Sequence, residues 1–213
     1  MIKRNKISIV IASLLTLAPM IIGAVIWERL PELMPTHWGF NGEADDYSSK
    51  GFTVFGMPLI FLALLWICLI VTSMDKRNKS QNPKIESIVI WIVPILSCAS
   101  AAATYCTSLG IEIMVTNIVF STIGAVVLIL GNYMPKCKQN STIGVRLKWT
   151  LESEENWSRT HRFAGIVWFI CGILLIACGF LPTKIAVFAV LPIILFSVFA
   201  PIIYSFALHK KGI

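Results

Sequence analysis

Six apolar runs of about 20 residues, separated by short connections that carry nearly all the charge, decide which solvent this chain can fold in. The runs occupy residues 7–26, 51–73, 85–106, 112–131, 163–181 and 185–208. At about 1.5 Å rise per residue, 20 helical residues cover the roughly 30 Å hydrocarbon core of a bilayer. Of 213 residues 56% are hydrophobic and only 14% charged, whereas about a quarter are charged in soluble domains. The expected fold is therefore all-α: a polytopic integral membrane protein with six transmembrane helices. Six spans and their connections use the whole length and leave none for a separate soluble catalytic domain. The first run follows Lys3, Arg4 and Lys6. It is longer than the apolar region of a secretory signal and no Ala-x-Ala-type cleavage site follows it, so it reads as a retained first helix.

Sidedness follows from where lysine and arginine fall, since cytoplasmic flanks keep the basic residues. Lys3, Arg4 and Lys6 precede the first run. Lys76, Arg77, Lys79 and Lys84 lie between the second and third, Lys136, Lys138, Arg146, Lys148, Arg159 and Arg162 between the fourth and fifth, and Lys210 and Lys211 in the tail. These are fifteen of the 18 basic residues, and the alternate connections hold only Arg29, Lys50 and Lys184. Both termini are accordingly placed in the cytoplasm of a bacterial cell, with the multi-pass protein in its cytoplasmic membrane. The net charge of +7 then reports orientation, and no direct nucleic-acid partner is inferred from it. Residues 1–84 read as an amino-terminal two-helix unit with an outer loop at 27–50. Residues 85–213 read as a four-helix unit with a cytoplasmic loop at 132–162.

The spans advertise packing rather than chemistry. Gly165, Gly172 and Gly179 recur every seven residues in the fifth run, as do Gly124 and Gly131 in the fourth, a pattern that lets neighbouring backbones approach closely. Pro19, Pro58, Pro94, Pro192 and Pro201 lie inside runs, where the carbonyls they free need donors from neighbouring helices. No charged residue sits in mid-span, the usual mark of an ion path; Glu86 and Glu112 fall near span ends. The six cysteines form no Cys-x-x-Cys pair, and His37, His161 and His209 lie on opposite sides of the membrane by the charge rule. Neither a metal nor another cofactor is expected. With no phosphate-binding loop, nucleophile elbow or zinc motif in view, no catalytic residue is assigned.

Two connections carry more than a turn requires. The outer one holds Pro31 and Pro35, Gly39 and Gly42, the aromatics Trp27, Trp38, Phe40 and Tyr47, and the acids Glu28, Glu32, Glu43, Asp45 and Asp46. Such a loop is expected to lie ordered on the membrane and to attract a cationic ligand. The inner one ends in a segment, residues 150–161, that reads as a helix with Thr150 or Ser153 as N-cap and acids in its first turn. It serves either as an interfacial helix meeting anionic lipid or as a docking platform.

These same two loops resemble the bacterial SdpI-like family. The likeness rests on Pro35-Thr36-His37-Trp38, Gly42-Glu43-Ala44-Asp45 and Tyr47 through Lys50, which look like the uncharacterised amino-terminal domain common in that family. It rests also on Gly131-Asn-Tyr-Met-Pro-Lys, Ile143-Gly-Val-Arg, Trp149 through Trp157, and His161-Arg-Phe-Ala-Gly165, which resemble its carboxy-terminal signature. Where related sequences commonly have Thr-Pro between the arginine and the tryptophan, this chain has Leu147-Lys148. The resemblance implies a membrane immunity protein that answers a secreted, membrane-active peptide toxin and also holds a cytoplasmic repressor at the membrane. On that implication Pro35, His37, Trp38, Gly42, Asp45 and Asp46 are the candidate toxin-binding residues. Arg146, Trp149, Glu154, Glu155, Trp157 and His161 are the candidate docking residues. The alternatives are a small transporter or exporter of peptide or lipid, which the lack of mid-span charge disfavours, and a membrane enzyme acting on lipid or cell-wall intermediates with His37 or His161 as general acid or base.

Overall fold

In hydrocarbon each backbone N–H and C=O needs an internal partner, so the apolar runs close into helices. A computed structural model of the chain describes residues 1–39 and 42–213, apart from the side chains of Lys79 and Ser80. Among these residues, six helices are long and apolar enough to cross a membrane. They are α1 (Lys6–Val25), α2 (Met57–Met74, entered through a π-helical turn at Phe52–Gly56), α3 (Pro83–Ser108), α4 (Val115–Tyr133), α6 (Glu154–Cys178) and α7 (Thr183–Lys210), with α5 (Lys148–Glu152) a short turn before α6. Phe188, Val25 and Ile7, at 82%, 80% and 77% exposure, point outward, as the lipid-facing surface of a bundle does.

Because the six long helices alternate in direction, the basic connections gather at one end of the bundle. Contacts between distant segments agree: Arg4 meets Glu86, Asn78 meets Thr142, and at the other end a Cβ on Gly42 would touch Thr183. These are called the basic end and the hairpin end below.

The all-α expectation needs one correction, at the hairpin end. There β1 (Leu33–Trp38) and β2 (Ala44–Ser49) pair antiparallel. Leu33 faces Ser49, Met34 faces Ser48 and Pro35 faces Tyr47, with irregular register from Pro35 to Trp38. The cause is tertiary: Met34 is wholly buried with Leu30, Val54 and Tyr105, which fixes which face of the ribbon points inward. Gly42 turns the chain at φ +81°. Phe40 lies outside the described residues.

The fifth run also differs from its expected start. Instead of a separate interfacial helix meeting a span at residue 163, α6 runs unbroken for 25 residues from Glu154, about 37 Å at 1.5 Å per residue. Ser153 is its N-cap, accepting from the Asn156 N–H at 3.1 Å.

Glycines build the central seam between α4 and α6. A Cβ on Gly124 would stand 2.8 Å from the Gly172 carbonyl oxygen, and one on Gly172 would stand 2.5 Å from Leu128 N. One on Gly131 would run into Phe169 N and stand 2.9 Å from the Gly165 carbonyl oxygen. Two of the proline-freed carbonyls find donors on other helices. Leu15 O, four residues before Pro19, accepts from the Cys98 thiol at 3.6 Å, and Ser197 O, four before Pro201, accepts from Trp168 Nε1 at 2.8 Å. Ser97 and Tyr105 of α3 donate to the carbonyls of Thr16 and Pro19 as well, at 3.0 and 2.8 Å. These bonds join α1 to α3 across residues 84 and 85.

Candidate functional site

At the hairpin end the ribbon leans over α4 and α7 and leaves a cleft of about 520 Å³. Thr36, His37, Trp38, Gly39, Gly42 and Asp45 line it from the hairpin, Val115, Thr116, Val119 and Phe120 from α4, and Val187, Val190, Leu191 and Ile194 from α7. Its α4 and α7 walls are aliphatic and aromatic apart from Thr116, and its charged groups come from the hairpin at the mouth. His37 Nδ1 and Asp45 Oδ1 lie 2.5 Å apart, both side chains more than half exposed.

Four of the six sequence-predicted binding residues, His37, Trp38, Gly42 and Asp45, line this one cleft. The other two do not. Pro35 is buried beneath the ribbon, and Asp46 accepts from the following backbone N–H, Tyr47 N, at 2.8 Å. Among the described residues no group of three His, Cys, Asp or Glu is arranged to hold a metal ion.

The hairpin is fastened by a residue that the sequence shows only as a stray outer cation. Lys50 is 7% exposed; its Nζ donates to Leu30 O at 3.1 Å, pairs with Glu32 at 2.8 Å and sits 4.8 Å from the centre of the Trp27 ring. Glu32 is 87% exposed, so the pair bridges buried and solvated ends. The signal was present in sequence as a lysine flanked by small residues next to an apolar run, but its partners lie twenty residues back.

The basic end is organised by side-chain amides. Gln81 makes a reciprocal pair with the Lys138 backbone, donating to its carbonyl at 3.1 Å and accepting from its N–H at 3.0 Å. Asn140 accepts from Ile143 N at 2.6 Å and donates to Lys138 O at 2.8 Å, folding the 137–143 loop around itself. Asn78 links Thr72 O to the Thr142 hydroxyl. Cys137 lies under this knot, where burial pushes its thiol up to about 11 against hydrogen bonds from Asn140 and Gln81 that lower it. A thiol held protonated in this way is inert. On the far side of α6, Asn156 ties Ser205 O and Ile213 O together at 3.1 and 3.0 Å, and Trp149 Nε1 donates to the Ser205 hydroxyl at 2.7 Å.

The structure divides the six candidate docking residues. Trp157 and His161, at 2% and 1% exposure, are interior, which corrects the expectation that both belong to a surface platform. Their rings stack at 3.9 Å. His161 Nδ1 meets the Trp157 carbonyl at 2.8 Å, so it carries the hydrogen, and Nε2 accepts from the Val145 N–H at 3.1 Å. Both nitrogens are therefore occupied. Gly144, at φ +111°, leaves room for that ring, since any Cβ would strike His161 Nε2. Arg146, Glu154 and Glu155 are exposed and Trp149 half-buried, Glu155 pairing with Arg159 at 2.6 Å. Leu147 is extended at φ −113°, ψ 158° and Lys148 opens α5. An extended residue before a proline, with the proline at the first helical position, is what Thr-Pro favours there, so the substitution keeps the backbone path.

Residues 136–205 match the SdpI/YfhL protein family, and residues 14–62 match a domain of unknown function, DUF1648. Over 210 residues, 98% of this chain and 97% of the relative, the sequence is 28% identical to the Immunity protein SdpI of Bacillus subtilis (strain 168). No solved structure matches the chain.

Proposed function

We propose that this chain, which is similar over nearly its whole length to an immunity protein, protects a cell against a membrane-active peptide toxin which it engages at the hairpin end. The full-length likeness to a protein named for immunity carries the reading; the cleft supplies the place. Its aliphatic walls suit the apolar face of an amphipathic peptide. Its mouth suits a cationic one: Asp45 is exposed there, and Glu28, Glu32, Glu43, Asp46 and Glu112 outnumber Arg29, Lys50 and Lys184 at this end. By the charge rule this end faces outward, where a secreted peptide arrives. The cleft draws on both matched regions, the hairpin from one and α7 from the other.

A signalling half extends the proposal. Arg146, Glu154 and Glu155 form the exposed part of a repressor-docking surface at the basic end, with half-buried Trp149 at its edge and Trp157 and His161 holding the backbone beneath it. The reading needs no catalytic step. As a general base His161 is disfavoured because both ring nitrogens are engaged.

Expression in a toxin-sensitive strain tests the proposal. The native chain is expected to raise the peptide concentration needed for killing. Trp38→Ala and Asp45→Asn should lower that protection about tenfold each, the scale of one good interface contact, and Glu155→Ala should leave it intact while releasing the repressor. Equal killing with and without the native chain, for each membrane-active peptide tried, removes the immunity reading.

A further inference from the structure

At the basic end, α3 and α4 part and leave an apolar groove of about 260 Å³ floored by Ile88, Trp91, Ile95 and Ile129. Two ammonium groups stand over one aromatic ring at its mouth. Lys84 Nζ is 5.7 Å and Lys136 Nζ 5.0 Å from the centre of the Tyr133 ring. Both lysines are exposed, and among the described residues neither forms an ion pair. Holding two like charges near one ring costs energy unless an anion lies between them. Ser87, exposed on the groove wall, adds a hydroxyl donor about one turn along α3 from Lys84.

From Lys84 to Ile95 the groove follows eleven residues of α3, about 17 Å at 1.5 Å per residue. Half of a roughly 30 Å hydrocarbon core is about 15 Å. An ammonium-rimmed apolar groove as long as one leaflet fits one class of molecule, and we propose that it binds a single anionic phospholipid. The phosphate sits between Lys84 and Lys136, with one acyl chain along Ile88, Trp91 and Ile95. The lipid fills the seam where α3 meets α4 and so joins the first three helices to the block of α4, α6 and α7. The site lies at the opposite end of the molecule from the hairpin cleft and does not depend on the immunity reading.

Titration of the full chain in uncharged detergent with phosphatidylglycerol or phosphatidylcholine, read by native mass spectrometry, tests the assignment. Phosphatidylglycerol is expected to bind at least about tenfold more tightly. Each of Lys84→Gln and Lys136→Gln should weaken it about fivefold, the effect of one lysine at a membrane surface, while Lys84→Arg retains it. The double variant should bring phosphatidylglycerol to the phosphatidylcholine level. Lys210→Gln with Lys211→Gln, the same charge loss elsewhere at this end, should change nothing, and inorganic phosphate should not compete. Equal binding of the two lipids to the native chain, equal loss in the tail control, or full competition by inorganic phosphate would each overturn the site.

Discussion

Glycines differ in what surrounds them, and the difference sets what a methyl group does at each. Gly131 abuts the backbone of Phe169, which has no side-chain freedom with which to yield. Gly51 has helical φ and ψ and nothing within 4 Å. Gly131→Ala is expected to destabilise the protein by about 1 to 3 kcal/mol, the cost of overpacking a tight contact, whereas Gly51→Ala should be neutral or slightly stabilising. Melting temperatures of the two variants in detergent check the contrast. The seam was legible in sequence because a seven-residue repeat returns to one helix face. The inward turn of Trp157 and His161 was not: four-residue spacing puts them on one face without saying which face the neighbours cover.

Among the elements, the hairpin was the least legible. Proline in β1 and paired aspartates in β2 give it poor strand propensity, which outweighs the turn signal of the Asn41-Gly42 pair between them. What fixes it is tertiary: Met34 buried below and Lys50 drawn under Trp27. Removing the Lys50 ammonium leaves the Leu30 carbonyl without that donor and the hairpin base without its bolt, a loss of roughly 1 to 3 kcal/mol. In Lys50→Ala, backbone amides of β1 and β2 are expected to exchange with deuterium markedly faster, while those of α4 and α6 keep their native rates. Uniform acceleration across all helices would mean instead that Lys50 supports the whole bundle. Helix positions, by contrast, followed directly from the apolar runs, with a residue or two of difference at most ends.

For the whole molecule, fifteen of the 18 basic residues collect at one end, and the charge rule predicts that this end lies in the cytoplasm. With native cysteines replaced, Ser48→Cys is expected to react with a membrane-impermeant maleimide in intact cells, and Lys211→Cys only after permeabilisation; the reverse labelling would invert the protein in the membrane. The hairpin cleft lay beyond the sequence because its walls come from three segments far apart in the chain, around Thr36, Val115 and Val187. A different long-range dependence sits in the prolines. The carbonyl that Pro201 frees in α7 is met by Trp168, on a helix made earlier. The one that Pro19 frees in α1 is met by Cys98 of α3, on a helix the ribosome has yet to make. During synthesis, then, the first helix enters the bilayer with a carbonyl near its centre unsatisfied, and it stays so until the third helix arrives, so the order of translation makes α1 the last of the early helices to settle.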